Sequence, residues 1–151
     1  MNLINQINHD ISEYQLNEFQ NLISMLYQCC QDRMQFQSKV FSLPDAELRC
    51  LLFFKEEKYL TSKGISTRMN VAKSRITKII SGLENKELIK KIKDPEDSRI
   101  HLISLTATGK KKLEEILLFQ RELHKTVLSQ INSDDRKTML TNLDLLKACM
   151  E

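Results

Sequence analysis

From residue 10 to residue 40 the chain has neither Gly nor Pro. Across that span Leu16, Phe19, Leu22, Ile23, Leu26, Tyr27 and Cys30 recur at steps of three and four. The spacing predicts one long helix with a single apolar face. Leu43-Pro44-Asp45 should end it, because the residue before a proline avoids the α region and proline fits the first turn of a new helix. A second helix is expected over residues 44–56, with Leu48, Leu51, Leu52 and Phe54 turned inward. Thr61 or Ser62 suits the N-cap of a short helix over residues 62–69, and Asn70 suits a left-handed residue that ends it. A further helix over residues 72–86 buries Ile76, Ile79, Ile80 and Leu83. The period then changes. Residues 88–93 partly alternate and read as a strand, Asp94-Pro95-Glu96-Asp97-Ser98 as a turn, and residues 100–105 as the returning strand. Two more helices close the chain. One spans residues 106–130, capped by Thr106, with Leu113, Ile116, Leu117, Leu123 and Val127 as its stripe. The other spans residues 134–149 behind Ser133-Asp134-Asp135, with Met139, Leu143, Leu146 and Met150 on one face.

The pattern is mainly α with a small β-hairpin, and the composition agrees. Three Gly and two Pro in 151 residues suit helices better than sheets. A hydrophobic share of 41% suffices for a core. Net charge is only +3, but it is unevenly placed: residues 1–60 carry −3, residues 61–112 carry +8 and residues 113–151 carry −2. A basic centre between mildly acidic flanks suggests a polyanion-facing segment on a scaffold. No apolar run of about 18 residues suggests a membrane span, and the polar start up to Asp10 does not read as a signal peptide. A cytoplasmic location with reduced thiols is therefore expected for Cys29, Cys30, Cys50 and Cys149.

Two short helices joined near Asn70–Val71 and followed by a Lys-rich hairpin form a winged helix-turn-helix. In that motif the second helix enters the major groove of duplex DNA. Its outward positions here are Lys73, Ser74, Arg75, Thr77 and Lys78, cationic or small and polar and never acidic. Arg or Lys to guanine, and Ser or Thr to several base edges, are the usual means of readout. On the hairpin, Lys90, Lys91, Lys93 and Arg99 are candidates for phosphate contact, and an Arg near the tip suits a narrow minor groove. The same lysines also suit protection of an edge strand, and the two uses are compatible.

Residues 65–89, ISTRMNVAKSRITKIISGLENKELI, resemble the recognition segment of the MarR family. Residues 94–111, DPEDSRIHLISLTATGKK, resemble that family's wing and the start of its next helix. The family's Asp and Arg two residues apart fall on Asp97 and Arg99, and its Leu-Thr-x-x-Gly on Leu105 to Gly109. The resemblance implies a winged helix-turn-helix lobe over residues 44–112. It also implies a helical dimerisation region from residues 1–43 and 113–151, and a homodimer reading an inverted-repeat operator, as a repressor. It further implies a small, often aromatic effector between the dimer helices and the lobe. Tyr27, Phe41 and Phe53 are candidate walls, equally suited to the core. Three features depart from the family: Gly64 and Gly82 lie inside helices, and Glu87 stands where a Gly is usual. For Asp97 and Arg99 two readings stand: Asp97 orients an Arg99 that touches DNA, or the pair only shapes the turn.

Other chemistry is poorly represented. Some relatives carry a peroxide-sensing cysteine one turn before a Tyr like Tyr27, but here that position is Ile23. Cys29 and Cys30, adjacent on a helix, point about 100° apart, so buried, inert thiols are expected. The cysteines and the scattered His9, His101 and His124 show no metal-ligand spacing, and neither a catalytic set nor a cofactor loop is visible. Two alternatives to a ligand-responsive regulator are a protein-interaction module built on a winged helix without DNA binding and a cysteine-based redox-sensing regulator.

Overall fold

The computed structural model describes residues 10–151. The polar start, including His9, lies outside the described residues. The chain divides into two compact units, the first ending at Arg49 and the second running Cys50–Glu151.

The first unit is built on α1 (Glu13–Val40), a helix of 28 residues. Ser12 caps it reciprocally with Gln15: Ser12 Oγ accepts from the Gln15 N–H at 3.1 Å, and Gln15 Oε1 accepts from the Ser12 N–H at 3.0 Å. At its end Ser42 takes φ 53, and the Leu43 N–H donates to the Ser38 carbonyl at 3.0 Å, a left-handed termination that satisfies the last carbonyls. Pro44 then leads into α2 (Asp45–Leu52), which crosses the boundary between the units. Leu48 and Leu51 are fully buried, and Leu52 is half-buried. The expected helix to residue 56 ends at Leu52. It tightens into a 3₁₀ turn, Phe53–Lys55, with Phe54 buried, as helix ends often do.

The second unit opens with β1 (Leu60–Thr61), which the sequence does not announce, since two residues are too few to show alternation. Thr61 caps α3 (Ser62–Met69) through its hydroxyl, which accepts from the Gly64 N–H at 3.0 Å. α4 (Lys73–Asn85) buries Ile76, Ile79, Ile80 and Leu83. β2 (Ile89–Lys93) and β3 (His101–Leu105) form the hairpin, and β1 joins β3, giving the antiparallel order β1-β3-β2. The core of this unit includes Leu60, Ile65, Met69, the apolar face of α4, Ile89 and Ile103. α5 (Ala107–Ser129) buries Leu113 and Ile116, and α6 (Ser133–Met150), capped by Asn132, buries no residue.

Two expectations change. The stripe on α1 exists as a periodicity, but Leu16, Phe19, Leu22, Leu26 and Tyr27 are all exposed. Cys29 and Cys30 share that exposure instead of being buried, as does Cys149; Cys50 alone of the four is buried. The apolar character of the helix points to burial, but its apolar face lies open in the single chain.

Glu87 has φ 58 in the turn between α4 and β2, the position where a glycine is usual in the resembling family. An L-residue there carries a left-handed penalty of roughly 1–2 kcal/mol, offset by the extra unfolded-state freedom that a glycine brings. Glu87→Gly is therefore expected to stabilise by about 0.5–1 kcal/mol, read as a higher urea midpoint with an unchanged slope.

Candidate nucleic-acid interface

The two helices of the motif are held by a small clasp. Asn70 ends α3 at φ 51, ψ 50, a conformation its side chain tolerates. The Val71 N–H donates to the Ser66 carbonyl at 3.3 Å, and Ser66 Oγ donates to the Val71 carbonyl at 2.8 Å. Arg68 is committed elsewhere: it pairs with Glu57 and lies over the Phe53 ring at 5.5 Å. It therefore braces α3 and adds nothing to the outer face of α4.

On α4 the division of labour follows the 3.6-residue period. Four apolar residues hold the helix to the core, while Lys73, Ser74, Arg75, Thr77 and Lys78 are all exposed. The first turn contains no acid, and Ala72 supplies no side-chain cap, so its leading N–H groups stay open to an anion. The Thr77 hydroxyl donates to the Lys73 carbonyl at 3.0 Å. Towards a base edge it therefore offers an acceptor and a methyl group.

The wing separates residues that the sequence groups together. Lys90 is paired with Ser104 and Ile92 with Leu102, on one sheet face, while Lys91 opposes Ile103 and Lys93 opposes His101 on the other. Lys91 reaches back to Glu84 of α4 at 3.2 Å, so part of its charge serves the packing of wing on helix. Lys93 and Arg99 are exposed. The Asp97 carboxylate accepts from the backbone N–H of Arg99 at 3.0 Å, and its carbonyl accepts from the Ile100 N–H at 3.0 Å. Asp97 thus shapes the turn through the main chain and leaves the guanidinium free to project.

The structure adds residues that the sequence pattern does not single out. Ser62, Lys63 and Ser66 of α3 line a cleft of about 310 Å³ with Lys73, Ile76 and Thr77 of α4. Lys63 stands in the first turn of α3, and its position beside the second helix of the motif is the signal that could have found it. Tyr27 and Phe41 belong to the first unit and Phe53 to the second. Tyr27 is exposed, and its hydroxyl accepts from Gln31 Nε2 at 2.8 Å; Phe41 and Phe53 are half-buried. Among the described residues no group of three His, Cys, Asp or Glu gathers in a way that would hold a metal ion, and no helix is long and apolar enough to cross a membrane.

A helix pair clasped at a left-handed Asn, a second helix whose first turn carries no acid, and a paired-strand wing define a winged helix-turn-helix, a motif of transcription regulators. Residues 43–101 match the MarR family. The HTH-type transcriptional regulator YdgJ of Bacillus subtilis is 23% identical over 127 residues, covering 84% of this chain and 71% of YdgJ. The HTH-type transcriptional repressor MdtR of the same organism is 28% identical over 120 residues, covering 80% and 77%. Among solved structures, a MarR family protein from Bacillus stearothermophilus superposes with a TM-score of 0.83 at 19% identity, over 93% of this chain and 98% of that one. The S. aureus MepR–DNA complex superposes with a TM-score of 0.67 at 21% identity, over 87% and 99%. Residues 43–101 therefore carry a MarR-family domain, and the relatives matched over most of the chain are named as transcription regulators.

Proposed function

We propose that the chain is a homodimeric, cytoplasmic repressor that reads a palindromic operator with α4 and grips the backbone with its wing. The observation that carries this reading is the outer face of α4, where three cations and two hydroxyl residues stand together without an acid. Arg75 and Lys78 take base edges or nearby phosphates, with Ser74 and Thr77 as secondary readers. Lys63 and Lys73 flank the α3–α4 cleft as phosphate clamps, and Lys90, Lys93 and Arg99 serve the wing. Lys91 contributes less, being paired with Glu84. The similarity to a repressor and to a protein crystallised with DNA supports the reading.

Dimerisation is supported by what the single chain leaves uncovered. Leu16, Phe19, Leu22 and Leu26 on α1 and Leu140, Leu143 and Leu145 on α6 are exposed, a larger apolar display than monomers usually carry. A two-fold dimer presents two recognition helices to half-sites separated by whole helical turns. A small aromatic effector would then act by favouring a spacing of recognition helices that does not fit the operator.

Selection of bound sites from random duplex DNA tests the proposal. The expected consensus is palindromic, and its affinity should fall steeply with added salt. In sedimentation the protein should run at twice the 17.7 kDa chain mass. Recovery of no enriched sequence, or of a salt-insensitive interaction, would favour a winged helix that binds protein instead.

A further inference from the structure

The far end of α5 carries a second cationic feature, unrelated to the recognition helix or the wing. Arg121, His124 and Lys125 of α5 share one face at steps of three and four, Leu128 and Ser129 continue it, and Arg136 reaches in from the first turn of α6. Together they line a cavity of about 540 Å³, within the size range of small-molecule sites. No acid lines it. That is notable against the local composition, because residues 113–151 carry five Lys and Arg against seven Asp and Glu. Three of those five cations converge on this cavity, with a histidine beside them.

The nearest acids in sequence do not neutralise the cluster. Asp135 is engaged with the Asn132 cap, accepting from Asn132 Nδ2 at 2.5 Å while its own N–H donates to Asn132 Oδ1 at 2.9 Å. Asp134 and Glu122 are exposed and do not line the cavity. Most telling is Arg136 Nε, which is buried and has no hydrogen-bond partner. A buried donor without an acceptor is unfavourable, and so is a convergence of like charges. An anion in the cavity relieves the convergence of like charges directly, and the Arg136 Nε–H as well once that side chain turns toward the cavity.

We propose that this cavity binds a small, multiply charged oxyanion, a phosphate-bearing or polycarboxylate molecule. The two guanidinium groups offer forked donors matched to oxyanion geometry, Lys125 adds a point charge, and Leu128 with the aliphatic stems forms the floor. Three permanent cations favour a dianion or trianion over a monoanion. The site sits on the helix that begins at the wing. α5 has 23 residues and is about 35 Å long, with its first turn against the α4–β2 turn and its last turns in the cavity wall.

The test uses full-length, ¹⁵N-labelled protein at constant ionic strength, following the arginine Nε–H signals while chloride is replaced by inorganic phosphate or by citrate. Arg136 Nε–H is expected to shift saturably with both, and far less with acetate. In an Arg121→Ala/Lys125→Ala variant, apparent affinity should fall at least about tenfold, since two of the three permanent charges are gone. Both positions are exposed on a helix, so the fold is retained, and DNA affinity without phosphate should match wild type. A shift that rises linearly without saturation, that is equal for acetate, or that is unchanged in the variant overturns the proposal. So does loss of dimer in the variant without saturable binding in wild type, which would assign the cluster to a subunit contact. Failure of wild-type protein to bind DNA would refute the proposed function and leave this titration untouched.

Discussion

Replacing Gly109 with alanine is expected to lower the unfolding free energy by about 3 kcal/mol, the upper range for forcing an extra methyl group into a packed site. A Cβ at that position would lie 1.8 Å from the Leu88 carbonyl oxygen, 2.8 Å from its carbonyl carbon and 3.3 Å from Leu105 Cδ2. The obstacle is backbone and has little freedom to retreat. The Leu88 side chain is buried, its N–H donates to the Leu83 carbonyl at 3.0 Å, and its carbonyl accepts from the Thr106 N–H at 3.1 Å. Relief therefore requires α5 to move away from the α4–β2 turn by more than about 1 Å, the gap between a clash and ordinary contact. That movement strains the Thr106 N–H bond to Leu88 and the Thr106 hydroxyl bond to the Glu87 carbonyl at 2.6 Å, each worth about 1 kcal/mol.

Urea denaturation of the two glycine variants side by side checks the argument. Gly64→Ala also places a methyl group in a helix, but there the nearest atom is Thr61 Oγ1 at 3.2 Å. A helix-propensity gain of roughly 1 kcal/mol offsets the crowding of that cap, so the net change should stay within about 1 kcal/mol. If Gly109→Ala proves as mild as Gly64→Ala, then α5 is not seated on the turn as described. Operator affinity should fall with Gly109→Ala as well, because β3 runs straight into α5 and a displaced α5 re-aims the wing.

Gly109 also marks how far sequence reasoning reaches. The Leu-Thr-x-x-Gly motif is visible as a family mark, but the reason for its glycine is a close approach to Leu88, far back in the chain, and only coordinates show that. Helix periodicity locates α4 and α5 to within a residue or two, because each has one face pressed on a core and that face writes the period, while α3 is located by its cap at Thr61 and its end at Asn70. The turn at Asn70 is legible for a local reason, the tolerance of Asn for left-handed backbone. β1 is not legible, since a two-residue strand derives its existence from its partner β3. The division among the wing lysines is half legible. Alternation predicts opposite faces for Lys90 and Lys91, but the Lys91–Glu84 pair depends on where α4 passes. The exposure of Cys29 and Cys30 escapes the sequence because an apolar stripe shows that a face needs cover without showing whether the same chain provides it.

Arg75→Ala and Lys78→Ala, combined, are expected to weaken operator binding by at least about 100-fold while leaving fold and dimer intact. The estimate follows from one bidentate base contact at roughly 1–3 kcal/mol and one phosphate contact, each occurring twice in a two-fold complex. Stability should hold or rise slightly, because both residues are exposed on a helix and alanine is the better helix former. The single variants should differ in kind. Arg75→Ala should flatten the preference among operator variants at one position in each half-site. Lys78→Ala should weaken all sequences alike and reduce the slope of log affinity against log salt by about 2 for the dimer, near 0.9 for each phosphate no longer neutralised. Lys91→Ala is the informative contrast, since its ammonium is already paired with Glu84 and its removal should change the salt slope little. Electrophoretic or fluorescence titration across a salt series measures all three. If the double variant binds a selected operator within about threefold of wild type, α4 is not the reading element. The acid-free face would then be a solvated helix surface, and the winged helix would serve a protein partner instead.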